Sequence, residues 1–419
     1  MKLNDVELLA QLQGEQYVWP AYDGGSIGNV PATVAELLGV SFDGLPPLHD
    51  GLWQPVAGGV KRVVVIILDA LGLNLMRAMG DEVNELVGET AVSSHLTSIF
   101  PSTTVAALSS LWTGAAPAQH GLLGLKMFFP EFATAGQMLS FSPVFKRYRD
   151  ALIDAGMEPE SFLQVPGFAE QLLAGGVPTY AFKGTQIIDS ALSKMHGRGV
   201  SGDFGIKTAA DMFVQMRQIL EEKPGQPMYI CGYWPTIDSL SHTHTWDGAS
   251  VRAELVALLS QLRRDLLGAL SLAARKDTVL FVVADHGQVK TPVAEHVYVS
   301  DHPELEKMLF MRPVGEPRVA YLYAKHGCQD DVVDYINREL GHAFVALRGE
   351  TAVSSNLFGP KPQVETIHER IGDVVVIAKA GYVLLREKER EHAHVMIGRH
   401  GSMTRAEMEV PWLGYRLDG

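Results

Sequence analysis

Three aspartates and three histidines stand where this 419-residue chain could do chemistry. Asp69 directly follows the apolar run Val63–Leu68, and Asp285-His286 follow the run Val279–Ala284. Asp238 and His242 come shortly after Met228–Tyr233, four residues apart, so they share a face if that segment is helical. His400 lies between glycines in Gly398-Arg399-His400-Gly401, where backbone can approach a neighbour closely. Singly, each has an ordinary reading. Asp69 could cap a helix, and Asp285 could merely orient a structural imidazole. Asp238 and His242 could sit on a solvated turn leading into Asp247-Gly248, and His400 on a surface turn. Together, carboxylates and imidazoles are the ligand set that suits divalent metals, and six exceed what one tetrahedral ion needs. Two metals are implied.

A nucleophile candidate stands between the first two clusters, in Phe100-Pro101-Ser102-Thr103-Thr104-Val105. Pro101 breaks the chain, and Val105–Trp112 then reads as a helix ending at Thr113-Gly114. Thr104 would stand at that helix's N-terminus, where free N–H groups and the macrodipole favour an anion. Local pattern by itself favours a plainer role, with Ser102, Thr103 or Thr104 as the N-cap.

The elements that position these residues follow from the apolar runs. Val63–Leu68, Met228–Tyr233 and Val279–Ala284 are continuous and β-rich, as strands of a parallel sheet covered on both faces must be. Helical patterns lie between them, at Ala209–Glu222 and over the long Ser250–Arg275 segment. Such alternation predicts an α/β fold, and ligands in open α/β sheets sit beyond the carboxyl ends of the strands. Three of the four clusters fall there. Residues 290–390 have another texture, with a strand at Arg318–Lys325, a helix at Gln329–Leu340 and a strand at Ala343–Arg348. Asp373–Ala380 and Tyr382–Leu385 read as a hairpin turning at Gly381. The expected organisation is an α/β core over 1–289 and 391–419 with an inserted α+β cap at 290–390.

Composition narrows the function classes. With 35 Lys+Arg against 48 Asp+Glu the net charge is −13, and no basic run occurs, which argues against a nucleic-acid polymer as partner. Apolar residues make up 47%, enough for a sizeable core. The longest apolar stretch falls far short of the ~20 residues of a membrane span, so no membrane partner is expected. The N-terminal residues carry no secretory h-region, no N-x-S/T sequon occurs, and Cys231 and Cys328 make no CxxC. A reduced, cytoplasmic compartment is the expectation.

The ordered motifs IILDALG (66–72), FPSTTVAALSSLWTGAAPAQHGL (100–122), YWPTIDSLSH (233–242), VADHGQ (283–288) and GRHGSMTRAEMEVPWL (398–413) resemble the type I phosphodiesterase/nucleotide pyrophosphatase family. That family belongs to the alkaline phosphatase superfamily. The resemblance implies a three-layer α/β/α fold with a largely parallel central sheet. It makes Thr104, ten residues before Gly114, the nucleophile, with Thr103 as the alternative should the register shift by one. It implies two divalent ions, zinc first and manganese as the alternative. Asp69, Asp285, His286 and the Thr104 oxygen would hold one, and Asp238, His242 and His400 the other. The neighbouring His244 falls outside the matched ligand positions. A metal would activate the threonine hydroxyl, and a phosphothreonine intermediate would then be hydrolysed by water.

Two departures bear on substrate. Where the family places a phosphoryl-binding asparagine this chain has Leu125, which cannot donate a hydrogen bond, and Lys126 beside it is the substitute or a solvated lysine. The aromatic residue common after the nucleophile is Val105 here. Tyr233 matches a tyrosine that stacks a nucleobase, or is a core tyrosine at a strand end. The cap, with Phe128, Phe129 and Tyr233, is where substrate choice is expected to lie. The resemblance implies cleavage of small phosphodiesters or nucleotide pyrophosphates. Alternatives are a phosphonate hydrolase or phosphomonoesterase on the same scaffold, and less favoured a phosphomutase, against which Thr104 counts. A silent binding module would break the ligand set, which is intact, and a sulfatase lacks its C-x-P-x-R motif here.

Overall fold

The computed structural model describes residues 5–146 and 148–418. Arg62–Leu68, Met228–Trp234 and Thr278–Val283 are strands, as their β-branched runs predict. Every residue of the first and third is buried, so both faces of the sheet are covered. They form the centre of a seven-stranded sheet in an α/β/α arrangement. Its order is Val92–Thr97, Glu409–Arg416, Thr278–Val283, Arg62–Leu68, Met228–Trp234, Thr179–Gly184, Gly202–Ile206. Pairings from Thr278–Val283 through Gly202–Ile206 are parallel.

Direction matters for the site. Glu409–Arg416 runs antiparallel to both of its neighbours, with Trp412 opposite Val283 and Glu409 opposite Thr97. Val92–Thr97 therefore points the same way as the parallel strands. The loop after it, carrying Ser102–Thr104, emerges at the same edge as Asp69, Asp238 and Asp285. The last strand starts at that edge, so the preceding segment with His400 arrives there too. One reversed strand brings the final ligand candidate to the others.

Two expectations about elements are corrected. The Ser250–Arg275 helix is interrupted: Ala249–Gln261 is α-helical, Leu262–Leu267 is a π-turn and Leu272–Arg275 is a separate short helix. The Gly268 N–H donates to the Arg263 carbonyl five residues back, widening the coil before it ends. The hairpin at Gly381 does not form either. Val374–Ala378 already has both edges taken, by Val319–Leu322 and Phe344–Arg348. Val383–Leu385 instead pairs parallel with His296–Tyr298.

Val314–Gly315, Val319–Leu322, Val374–Ala378 and Phe344–Arg348 form a four-stranded antiparallel sheet, packed against the helix Gln329–Glu339. Its apolar core is continuous with Leu122, Met127, Phe129 and Phe141 and with Leu8 of the first helix. A fully buried ion pair ties this sheet to the last motif. Arg318 Nε and Nη2 donate to Glu407 at 2.8 and 2.7 Å, and Glu407 in turn accepts from the Ser402 N–H at 2.9 Å.

Candidate metal centre

Asp69 ends the first central strand, and Ala70 after it turns the chain sharply at φ 59°. The Ala70 N–H donates to Asp285 Oδ1 at 3.0 Å, and the His286 N–H donates to the same oxygen at 2.9 Å. Asp69 Oδ2 accepts the Tyr233 hydroxyl. One oxygen of each carboxylate is thus occupied. The other two, Asp69 Oδ1 and Asp285 Oδ2, are buried without a hydrogen-bond donor and lie 3.6 and 3.4 Å from His286 Nε2. Gly287 must be glycine, because a Cβ there would stand 2.1 Å from the Ala406 carbonyl oxygen.

The three histidines share one tautomer. His286 Nδ1 lies 3.0 Å from the Gly287 carbonyl, His242 Nδ1 2.7 Å from the Gly398 carbonyl, and His400 Nδ1 3.1 Å from the Ser102 carbonyl. A carbonyl only accepts, so each neutral ring carries its proton on Nδ1 and offers a bare Nε2. These Nε2 atoms face carboxylates: His242 at 3.3 Å from Asp238 Oδ2, and His400 at 3.7 Å from Asp238 Oδ1. Asp238 and His242 do share a face, one turn apart on the helix Thr236–His244. The rings of His286 and His400 stack at 3.8 Å.

Lone pairs converging on carboxylate oxygens in an enclosed space repel unless a proton or a metal cation lies between them. Burial, then the Asp285 and Asp238 charges, drive the Asp69 pKa well above the carboxylate range, and burial raises Asp285 too. Asp69, Asp285 and His286 make one set of mutually close ligand atoms, and Asp238, His286 and His400 another. The donor set therefore fits two divalent cations, with His286 at the junction of the sets and His242 beside the second.

Thr104 Oγ1 lies 3.1 Å from His286 Nε2. It opens the helix Thr104–Thr113, for which Thr103 is the N-cap and Gly114 the left-handed C-cap. The two threonines are separated by their partners. Thr103 is buried and its hydroxyl donates to Glu316 Oε1 at 2.8 Å, away from the cluster. The hydroxyl at the cluster belongs to Thr104, and Thr103 holds the N-cap position without a side-chain bond to the helix N–H groups.

A cavity of about 310 Å³ opens from Asp69, Thr104, Tyr233 and Asp238 and runs between Leu108, Trp112, Phe182, Ile187, Leu192 and His196, with Lys183 along it. Lys183 is held by Asp203 at 3.0 Å. His196 stacks on Trp112 with ring centres 6.4 Å apart and bonds Ser109 Oγ. Sequence reasoning did not find these walls, because they come from two separate helices, a strand and a turn with no shared motif. It also missed Gln288, whose amide donates to Asp238 Oδ1 at 2.5 Å, and Glu316. The other expected substrate residues are placed elsewhere. The Leu125 N–H donates to Glu316 Oε1 at 2.7 Å, and Lys126 Nζ lies 4.0 Å from Glu389 Oε1. Phe129 is fully buried against Phe162, and Phe128 lines a different cleft beside Tyr323. His244 is exposed at the helix end.

A mostly parallel sheet with a carboxylate and imidazole cluster at its carboxyl edge is a scaffold for metal-assisted chemistry at the strand ends. The family model for type I phosphodiesterase / nucleotide pyrophosphatase matches residues 63–403, and the chain belongs to that family of hydrolytic enzymes. Among solved structures it is similar to human ectonucleotide pyrophosphatase / phosphodiesterase 5, with 16% identity, a TM-score of 0.63 and coverage of 84% of this chain and 87% of that one. The murine counterpart, an inactive threonine-to-alanine variant in complex with AMP, gives 16% identity, a TM-score of 0.61 and 85% and 88% coverage. Phosphonoacetate hydrolase from Sinorhizobium meliloti 1021 in complex with phosphonoacetate gives 18%, 0.58 and 84% and 89%. No curated protein sequence matches.

Proposed function

We propose that this protein is a two-metal phosphodiesterase acting on small phosphoesters, with Thr104 as nucleophile. The observation that carries the reading is the convergence of three bare Nε2 atoms and two undonated carboxylate oxygens beside the Thr104 hydroxyl. Asp69, Asp285, His286 and Thr104 would hold one ion and Asp238, His242 and His400 the other, with zinc the best match to this oxygen and nitrogen set. When bound, the ions lower the pKa of the threonine hydroxyl and neutralise charge on the phosphoryl oxygens.

The chain's own part follows from the geometry. Thr104 Oγ1 attacks phosphorus, forming a phosphothreonine, while the phosphoryl oxygens lie against the start of the helix Thr104–Thr113. The leaving alcohol or phosphate takes a proton and departs. The cavity lined by Trp112, Phe182 and Tyr233 receives one ester group, and Tyr233 also fixes Asp69 through its hydroxyl. Water then cleaves the phosphothreonine and restores the hydroxyl. That a threonine-to-alanine variant of the murine relative is described as inactive supports the role given to Thr104. We place the substrate-determining cap at 290–390, and the unpaired Cys231 and Cys328 fit a reduced, cytoplasmic compartment.

Phosphonate hydrolysis is the second reading, favoured by Leu125 in place of a phosphoryl-binding amide and by the likeness to phosphonoacetate hydrolase. Steady-state hydrolysis of bis-p-nitrophenyl phosphate, a nucleoside p-nitrophenyl ester, p-nitrophenyl phosphate and phosphonoacetate, with zinc and after chelation, tests both. Metal-dependent preference for diesters is the expected result. Preference for the monoester, or no turnover with zinc bound, overturns the diesterase reading.

A further inference from the structure

Each of the three aspartates in the cluster is held by an uncharged donor. Asp285 takes two backbone N–H groups and Asp69 the Tyr233 hydroxyl. For Asp238 the donor is Gln288, whose Nε2 lies 2.5 Å from Oδ1 and 3.2 Å from the Asp238 carbonyl oxygen. Two acceptors on one side fix which end of the amide is the nitrogen. The plain reading is a packing residue that serves this carbonyl, but the other end of the amide argues against it. Gln288 is fully buried, and its Oε1 has no hydrogen-bond partner among the described residues. That oxygen lies against Gly398, where a Cβ would stand 2.8 Å from it. A bare buried acceptor is destabilising, and a methionine of similar volume would avoid it. The glutamine is explained by what its nitrogen does.

The backbone that carries Gln288 is fixed on both sides. The Gly287 N–H donates to the Glu407 carbonyl at 2.8 Å, and Val289 pairs with Arg399 on a two-stranded ribbon. The amide is thus a firm point against which Asp238 is oriented. The Asp238 carboxylate lies between two rings, with His242 Nε2 3.3 Å from Oδ2 and His400 Nε2 3.7 Å from Oδ1. A bond to Oδ1 sets how its plane sits between them. Gln288 also stands two residues after His286, so it ties a carboxylate of the second ligand set to the turn that carries the first. The donor type matters too. A lysine or arginine here would neutralise Asp238 and compete with a cation, whereas an amide orients the carboxylate and leaves its whole charge for the metal.

We propose that Gln288 is a positioning residue that holds the Asp238 carboxylate between the His242 and His400 imidazoles. It thereby raises the affinity of the second metal position and leaves the first as it is. The proposal rests on the two-metal reading of the cluster.

The test is zinc titration of the metal-free full chain against a chromophoric chelator, for wild type, Gln288→Met, Asp238→Ala and the double variant. Wild type is expected to bind two ions. Gln288→Met should weaken one of them about 10- to 100-fold, the usual effect of removing a group that holds a metal ligand, and leave the other unchanged. In the Asp238→Ala background the same substitution should cause no further loss, because the side chain it acts through is gone. Gln288→Asn, whose amide is one methylene short of Asp238, should reproduce the weakening and replaces the methionine variant should that one not fold. Two wild-type affinities in Gln288→Met overturn the positioning role. So does an equal loss at both positions, or a loss that persists without Asp238, since either would mark a general packing effect. A wild type that binds fewer than two ions overturns the two-metal reading, and the role of Gln288 with it.

Discussion

Thr103 and Thr104 are adjacent and chemically identical, yet the fold gives them opposite duties. Thr103, at the N-cap position, donates to Glu316, while Thr104 opens the helix beside His286. Thr104→Ala should abolish turnover while metal content and melting temperature stay close to wild type. Thr103→Ala should retain measurable turnover but lose ~1 kcal/mol of stability, the usual net worth of a buried hydrogen bond such as that to Glu316. Turnover, metal analysis and urea unfolding on the two variants separate the roles. A T104A variant with wild-type activity would return the nucleophile to the alternatives left open by local sequence.

At the scale of elements, Glu316 joins the strand pair Val314–Gly315 and Val319–Leu322 to two loops of the sheet's carboxyl edge. Its Oε1 accepts from Thr103 and from the Leu125 N–H, and burial raises its pKa. A Cβ on Gly401 would stand 3.2 Å from its Cβ, at φ +128°, so the last motif packs on the same side chain. Glu316→Ala leaves a buried hydroxyl and a buried N–H without an acceptor, at ~1–3 kcal/mol each. The expected result is a loss of stability in urea unfolding and a fall in kcat larger than the change in KM. Glu316→Gln keeps an acceptor oxygen and should recover most of both.

The helix pair Thr104–Thr113 and Pro117–His120 carries a pH dependence of its own. His120 accepts the Leu122 N–H on Nδ1 and contacts Ser110 Oγ through Nε2, so it is held neutral. Burial pulls its pKa down to about 3. Its unfolded value is ~6.5, so between these limits the unfolded chain binds a proton that the folded chain does not. The stabilisation is complete above pH ~6.5 and is lost as pH falls towards 3, at up to ~1.4 kcal/mol per unit. Urea midpoints measured from pH 7 to 4.5 should therefore decline. His120→Gln should flatten the decline, and His196, also lowered by burial, should keep part of it. An unaltered slope in that variant would show that His120 does not contribute.

For the whole molecule, the candidate ligands come from segments near residues 69, 104, 240, 286 and 400, which the sheet brings to one edge. Cations bound there cross-link nearly the full length of the chain and neutralise the carboxylates of Asp69, Asp238 and Asp285. Chelation should lower the melting temperature by several degrees, since metal in 1,000-fold excess over its Kd adds ~4 kcal/mol. Asp69→Asn should shrink that difference, because it removes one of the charges the metal answers. A melting curve indifferent to chelator in wild type would count against a bound ion.

The parallel strands and the chemistry at their ends follow from local sequence. β-branched runs such as Val63–Leu68 can only be buried on both faces, and Asp69 or Asp285 just beyond one is forced to the carboxyl edge. The four-residue spacing of Asp238 and His242 gave their shared helix face for the same reason, a local periodicity. What the tertiary structure decided is whatever depends on a partner far along the chain. The choice between Thr103 and Thr104 rests on Glu316, over 200 residues away, and the common tautomer of the three histidines rests on carbonyls that no pattern marks. Val383–Leu385 took a new neighbour because both edges of Val374–Ala378 were occupied, which pairing alone reveals.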